Sequence, residues 1–385
     1  MRVLIRGLAT AEATPILSQA ALAEGAVPCC CRTDRERKLL PKLYQRTQVE
    51  RRGCCVASNG PGLTEVQRIQ AFFRSATGPE DRGPGTAERV NAAVAAARTL
   101  AVEAGEAVLA DAGVVAEQID HLVCASCTGF AAPGVSLHLL DTLRLPPTVS
   151  RTDVGFMGCH GALNALRAGS AMAAQTATTR GIGRALVVAS EVCSAHFQYG
   201  FDPAQVVANA LFADGAAAVL LEAMPGPHPA DGVEDGSAST NALPEAIELA
   251  DQVSLVLPET AEHMHWHIGD HGFEMYLSAK VPDIVAEALP AHLDDWLATR
   301  DLNRSAIGGW CIHPGGPRIV EAVVGALDLP HEAGDHSRAV LHQRGNMSSP
   351  TVLYIAEAMR RSGVPRPWVV LALGPGLTAE VALLR

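Results

Sequence analysis

Aromatic side chains are scarce: Phe, Trp and Tyr make up 4% of the 385 residues, although 48% are hydrophobic. Large rings therefore cannot fill the interior, and alanine-rich helices laid against sheets are the expected core. No run of 18 or more uninterrupted apolar residues occurs, so no transmembrane helix is expected. The opening stretch, MRVLIRGLATAEATPIL, lacks the apolar core and cleavage site of a secretory signal and reads as a strand turning into a helix. Positive charge is also short. Lys and Arg number 30 against 41 Asp and Glu, and a net charge of −11 argues against a nucleic-acid partner. There are ten cysteines but no paired C-x-x-C arrangement at zinc-ligand spacing, so no metal site is expected. The adjacent Cys29, Cys30 and Cys31, and Cys54 with Cys55, do not suit a spaced disulfide framework, which points to a reducing, cytoplasmic setting. Cys124, Cys193 and Cys311 lie in or beside apolar runs and read as small core residues.

What is present alternates. A helix is expected over 86–112, stopped by Gly113, followed by a buried strand from Ile119 to Ala125. A helix after Cys159 and strands at Arg184–Ser190 and Ala216–Leu221 continue the pattern. The stretch MPGPHPADGVEDGSAST breaks it, placing a linker at 223–240. Beyond it come a helix near 283–300, a strand at Ala306–Ile312 and helices after Pro317 and over 349–361. Strands at Trp368–Leu373 and Leu377–Leu384 close the chain. The order reads as an α/β fold of two similar halves, 1–222 and 241–385.

Three positions carry chemistry. Cys159 stands in VGFMGCHGA, with glycines on both sides and a helix-forming run after it. A helix start lowers a thiol pKa through the dipole and free N–H groups, and glycines admit a substrate closely. A buried structural cysteine fits the local pattern equally well. His313 opens HPGGP directly after an apolar strand, where a surface or capping role is the plainer reading. Asn346 lies in GNMSSP just before a helix, where an Asx turn or N-cap is the plainer reading. Together, a cysteine, a histidine and an asparagine form a known arrangement for acyl transfer.

The motifs GC before a helix, HPGGP at 313–317, GNMSS at 345–349 and GPGLT at 374–378, in that order, resemble the type III polyketide synthases, the chalcone synthase family. LFADGAAAV at 211–219 adds to the likeness, which runs from Arg46 to Leu384. The resemblance implies a thiolase fold with duplicated α-β-α-β-α layers, a homodimer, and coenzyme A thioesters as substrates. It implies no permanently bound cofactor. Cys159 would carry the starter and the growing chain, His313 would hold its thiolate as an ion pair, and His313 with Asn346 would form the oxyanion hole. Phe212 and Met275 match the gatekeeper positions, Met275 replacing an aromatic residue. Ser126, Cys127, Thr128, Ala132, His196, Trp266 and Ser348 match positions that shape the cavity. Cys127 and His196 depart from the chalcone-forming pattern, while Cys127 and the FMGCHGA context resemble bacterial members that make pyrones or resorcinols.

Residues 32–52 hold eight Arg or Lys against three acids. Taken alone, this is a solvated helix face. Under the resemblance, Lys38, Lys42 and Arg46, with Gly315 and Gly316, would meet coenzyme A. Two other readings stay open: a β-ketoacyl carrier-protein synthase III-like single condensation, and a non-catalytic partner subunit.

Overall fold

Small side chains decide how closely helices and strands approach one another here, and the layering follows. The computed structural model describes residues 1–226 and 246–385. Its strands are β1 (Arg2–Glu12), β2 (Ile16–Ser18), β3 (Arg51–Gly53), β4 (His121–Ala125), β5 (Ser150–Val154), β6 (Gly183–Val192) and β7 (Asp214–Met224) in the first half. The second half adds β8 (Ile247–Val256), β9 (Met264–Gly269), β10 (Gly272–Leu277), β11 (Gly309–Ile312), β12 (Trp368–Gly374) and β13 (Thr378–Leu384). The helices are α1 (Gln19–Cys30), α2 (Asp34–Arg46), α3 (Glu65–Gln70), α4 (Thr86–Ala112), α5 (Val135–Thr142), α6 (Gly161–Arg180) and α7 (Pro203–Leu211). They continue with α8 (Val281–Ala298), α9 (Pro317–Ala326), α10 (Asp335–Arg344) and α11 (Thr351–Arg361).

Nine strands run in the order β5-β4-β6-β7-β1-β8-β13-β12-β11. From one edge, β4 is parallel to β5 and β6, and then β7 and β1 pair antiparallel. From the other edge the same directions recur: β11 is parallel to β12, and then β13 and β8 pair antiparallel. The two sets meet through two paired positions, Leu4 with Glu248 and Ile5 with Ile247. That is a duplication visible in backbone directions.

The helices complete the layers. α4 covers β1, β6 and β7 from outside, burying Ala93, Ala97, Ala101 and Ala104 along one stripe. Gly113, at φ +62°, ends it in the left-handed conformation that glycine adopts without strain. α6 and α11 lie between the two strand sets, with α6 against β4, β6, β7 and β13 and α11 against β1, β7, β11 and β12. Gly169 lets α6 sit close, since a Cβ there would stand 2.8 Å from Val187 Cγ2. α8 and α9 close the far side over a core that includes Leu289, Val320, Val369 and Val381. The result is the α-β-α-β-α layering of the thiolase fold. Of the expected linker, residues 223 and 224 complete β7, and residues 227–240 lie outside the described residues. Among the described residues no helix is long and apolar enough to cross a membrane.

The basic run folds as α2, started by a capping box between Thr33 and Glu36. Leu40, Leu43 and Tyr44 are buried, while Lys38, Lys42 and Arg46 form an exposed stripe at four-residue spacing.

Candidate active site

Cys159 occupies a single turn, Gly158–His160, that leads into α6. Gly158 has φ +62°, and a Cβ there would stand 2.6 Å from Pro375 Cδ. A Cβ on Gly374 would in turn overlap the His160 ring. The cysteine turn and the Gly374-Pro375-Gly376 turn are therefore fitted into each other.

His313 leaves the end of β11, where its N–H donates to Leu371 O at 2.8 Å and its carbonyl accepts from Gly315 N at 3.1 Å. The imidazole is 1% exposed, and neither ring nitrogen has a hydrogen-bond partner. Asn346 is held on both sides of Phe212: its N–H donates to Leu211 O at 2.9 Å, and its carbonyl accepts from Ala213 N at 2.8 Å. Its Oδ1 accepts from Ser348 N at 2.8 Å, which is an Asx turn. Its Nδ2 is buried without a partner. Cys159, His313 and Asn346 bound one small space of about 20 Å³ together with Phe212, Met275 and Gly315. A buried polar group left unpaired costs about 1–3 kcal/mol, so unpartnered atoms on two residues that border one space mark a place for a ligand.

Burial pushes the Cys159 thiol up to about 11. The polar side chains of Ser348 and Asn346 nearby act the other way, and the charge of Glu191 adds to the rise. The expectation of a lowered thiol pKa is thus corrected: loss of water outweighs one helix end, and the thiol sits on the turn before α6 rather than inside its first turn. Burial, with His160 nearby, holds the His313 imidazole down at about 3. Burial disfavours the charged form of each group taken singly.

A wider cavity of about 120 Å³ opens on the same cysteine. Cys127, Thr128, His196 and Ser348 line it, as do Phe212, Trp266 and Met275. Cys193 lines it too, rather than filling the core as expected. Ala132 does not. It is exposed and borders a neighbouring cavity with Ser126 and Phe130, because the loop after β4 turns outward there. Phe156, Trp266, Phe273 and His196 form a continuous ring stack, with centroid separations of 6.3, 5.1 and 4.0 Å. His196 closes the stack: Nε2 donates to Thr128 O at 2.7 Å and Nδ1 accepts from Phe273 N at 3.1 Å.

Sequence reasoning missed Glu191. This buried carboxylate accepts from Thr128 Oγ1 at 2.7 Å, Cys127 N at 2.9 Å and Ser349 Oγ at 2.8 Å. It ties β6 to the loop after β4 and to the turn that carries Asn346. A lone acid in the apolar run ALVVASEVC was the available signal. Lys38, Lys42 and Arg46 border neither cavity, and Gly316 caps α9 at φ 156° beside Gly315.

Comparison with known proteins agrees. Residues 78–225 match the family described as chalcone and stilbene synthases, N-terminal domain, and residues 247–385 match the corresponding C-terminal domain. A 1,3,6,8-tetrahydroxynaphthalene synthase from Streptomyces peucetius subsp. caesius is 37% identical over 290 residues, covering 74% of this chain and 72% of that protein. The α-pyrone synthesis polyketide synthase-like Pks18 of Mycobacterium tuberculosis is 28% identical over 380 residues, covering 98% and 89%. The crystal structure of PKS-I from the brown alga Ectocarpus siliculosus superposes with a TM-score of 0.84 at 25% identity, covering 100% of this chain and 98% of that one. With both halves matched and the fold shared, the chain belongs to the chalcone and stilbene synthase family, the type III polyketide synthases, acyltransferases that condense malonyl-CoA with acyl-CoA starters and need no permanently bound cofactor.

Proposed function

We propose that Cys159 is the nucleophile of this synthase and that His313 and Asn346 act on it and on the extender. The observation that supports this is the convergence of the thiol with two unpartnered donors around one small buried space. Burial disfavours a charge on either group alone, which supports His313 as the general base for the thiol. It takes the thiol proton as Sγ attacks the starter thioester, and the coenzyme A thiolate leaves with that proton. Malonyl-CoA then loses CO2, and the enolate oxygen is met by an N–H of His313 and by Asn346 Nδ2. The enolate carbon attacks the acyl–Cys159 carbonyl, Sγ departs, and the product is two carbons longer. Its return to Cys159 repeats the cycle.

The halves divide this work: residues 1–222 bring the nucleophile, and residues 241–385 bring His313 and Asn346. Phe212 and Met275 stand between the small space and the wider cavity and gate it. The stripe of Lys38, Lys42 and Arg46 meets the coenzyme A phosphates, with Gly315 and Gly316 beside the thioester end. The product is a cyclised pyrone or resorcinol, a reading supported by the α-pyrone assignment of the relative that spans nearly the whole chain. The enzyme works in the cytoplasm as a homodimer. A second copy would cover Phe130, Phe156 and Ile268, which are 70%, 69% and 58% exposed around one cavity.

The test is mass spectrometry of products from malonyl-CoA and a panel of acyl-CoA starters, beside a Cys159→Ala control. Pyrones or resorcinols absent from the control support the reading. Single condensations seen only with a carrier-protein-bound extender would replace it.

A further inference from the structure

His160 follows the nucleophile directly, is buried, and takes no part in the chemistry proposed for Cys159. Burial costs an imidazole its water, so its polar atoms need partners. The ring packs on the turn at Gly374, where a Cβ would stand 2.2 Å from its Cδ2 and 2.7 Å from its Nε2. An apolar ring would serve that packing equally well. Nδ1 does what an apolar ring cannot: it meets Asn164 Oδ1 at 2.6 Å, one turn further on in α6.

That contact is the inner end of a chain of polar groups. Asn164 Nδ2 donates to Glu380 Oε1 on β13 at 3.0 Å, and Ser254 Oγ on β8 donates to the same oxygen at 2.7 Å. Arg167 donates to Glu380 Oε2 at 2.6 Å and to Ser254 Oγ at 2.7 Å. Glu380 is buried, whereas the Arg167 side chain is partly exposed, so the chain runs from the reactive turn outward. The polar and titratable groups around His160 are therefore Asn164 and Arg167 of α6, Glu380 of β13, Ser254 of β8 and His313 at the end of β11. β12, which carries the Gly374 turn, adds no titratable side chain.

The directions in this chain are forced from its outer end. A carboxylate paired with an arginine only accepts, so Asn164 presents its NH2 to Glu380 and its oxygen to His160. The ring must then donate from Nδ1, and Nε2 keeps the lone pair. The amide also acts as a spacer. A carboxylate in direct contact with the imidazole would favour its charged form. His160 is near enough to His313 for a positive charge on one to oppose a charge on the other, adding to the larger effect of burial. Asn164 passes on orientation without inviting that charge.

We infer that His160 is a positioning residue for Cys159: donating from Nδ1 to Asn164, and tied through it to Glu380, it fastens the nucleophile's turn in the first half to β13 in the second. The inference rests on Cys159 as the nucleophile of the proposed reaction and adds the residue that holds it in place.

Two substitutions in the full chain separate the hydrogen bond from the packing. His160→Phe keeps a ring against Gly374 and removes the donor. His160→Asn loses the ring but keeps an N–H where Nδ1 stands, because the asparagine amide nitrogen overlies that atom of histidine. Acylation of Cys159 is followed by intact-protein mass, using the acyl-CoA starter that the panel above selects. Its rate at saturating starter should fall roughly ten- to a hundred-fold in His160→Phe, as for a misplaced nucleophile, with half-saturation unchanged. His160→Asn should recover most of that loss, which a folding defect would not do in the smaller side chain. Nuclear magnetic resonance of the protein carrying ring-labelled histidine gives the second signal. The His160 resonance, identified by its loss in His160→Phe, should report the Nδ1–H tautomer, and Asn164→Leu should release it to the Nε2–H form that free histidine favours. Wild-type rates in His160→Phe, equal losses in both His160 variants, or a wild-type ring already in the Nε2–H form overturn the inference. If the tautomer and its release are seen but no starter ever acylates Cys159, the reading of the reaction fails, while the tie from His160 to Glu380 stands.

Discussion

The Oδ1 atom of Asn346 accepts the backbone N–H of Ser348 at 2.8 Å, and this one bond aims the rest of the amide. With the oxygen occupied, Nδ2 turns into the space beside Cys159, where it has no other partner. The turn-forming role and the donor role of this asparagine are two ends of one side chain. Asn346→Asp keeps the turn acceptor and exchanges the donor for a carboxylate facing the enolate. Decarboxylative extension should fall by roughly 10²–10³-fold in kcat. Acylation of Cys159, followed by intact mass, should fall much less. Equal loss in both steps would remove Asn346 from the extension step.

A thiol pushed up to about 11 by burial is mostly protonated at pH 7 to 9. Alkylation of Cys159 by iodoacetamide should therefore keep rising through pH 9 without a plateau, since the thiolate is the reacting form. A plateau with a midpoint near pH 6 to 7 would show a standing thiolate–imidazolium pair, and the general-base account would have to go.

Two buried histidines link stability to pH. Burial lowers His313 to about 3 and His196 to about 4, below the ordinary value of 6.5. In each case the unfolded chain binds the proton more readily. The stabilisation is full above pH 6.5 and is lost as pH falls through that value toward 3 or 4. At pH 5 the loss is roughly 2 kcal/mol per histidine. Urea titrations at pH 7.5 and 5 should show a smaller gap for His313→Gln than for wild type. Identical gaps would mean the imidazole is not buried neutral.

Charge reversal on the exposed face of α2, with Lys38, Lys42 and Arg46 all changed to Glu, should raise KM for malonyl-CoA and leave kcat nearly unchanged. A pantetheine thioester lacking the nucleotide phosphates should not feel the change, and added salt should shrink the effect. An unchanged KM would move the phosphate site elsewhere.

Much of this was legible before any coordinates. Alanines four apart and a following Gly113 define α4, and the motif order leads to the three residues that meet at the small space. What stayed hidden depends on surroundings rather than on residue type. The direction of the Cys159 shift turns on dehydration, which neighbouring residues in the chain do not report. Ala132 was expected in the cavity, yet its loop turns outward. Glu191 is a single acid in an apolar strand, and only the folded chain shows two separate segments donating to it.

The fit between Gly158 and Pro375, and between Gly374 and His160, also constrains how the protein can be recombined. Two segments more than two hundred positions apart are lock and key for each other, so a hybrid enzyme with a crossover between them inherits one face from each parent. Swaps that carry residues 156–161 and 373–377 together from the same donor should stay active, whereas single-segment exchanges between distant relatives should misplace the sulfur.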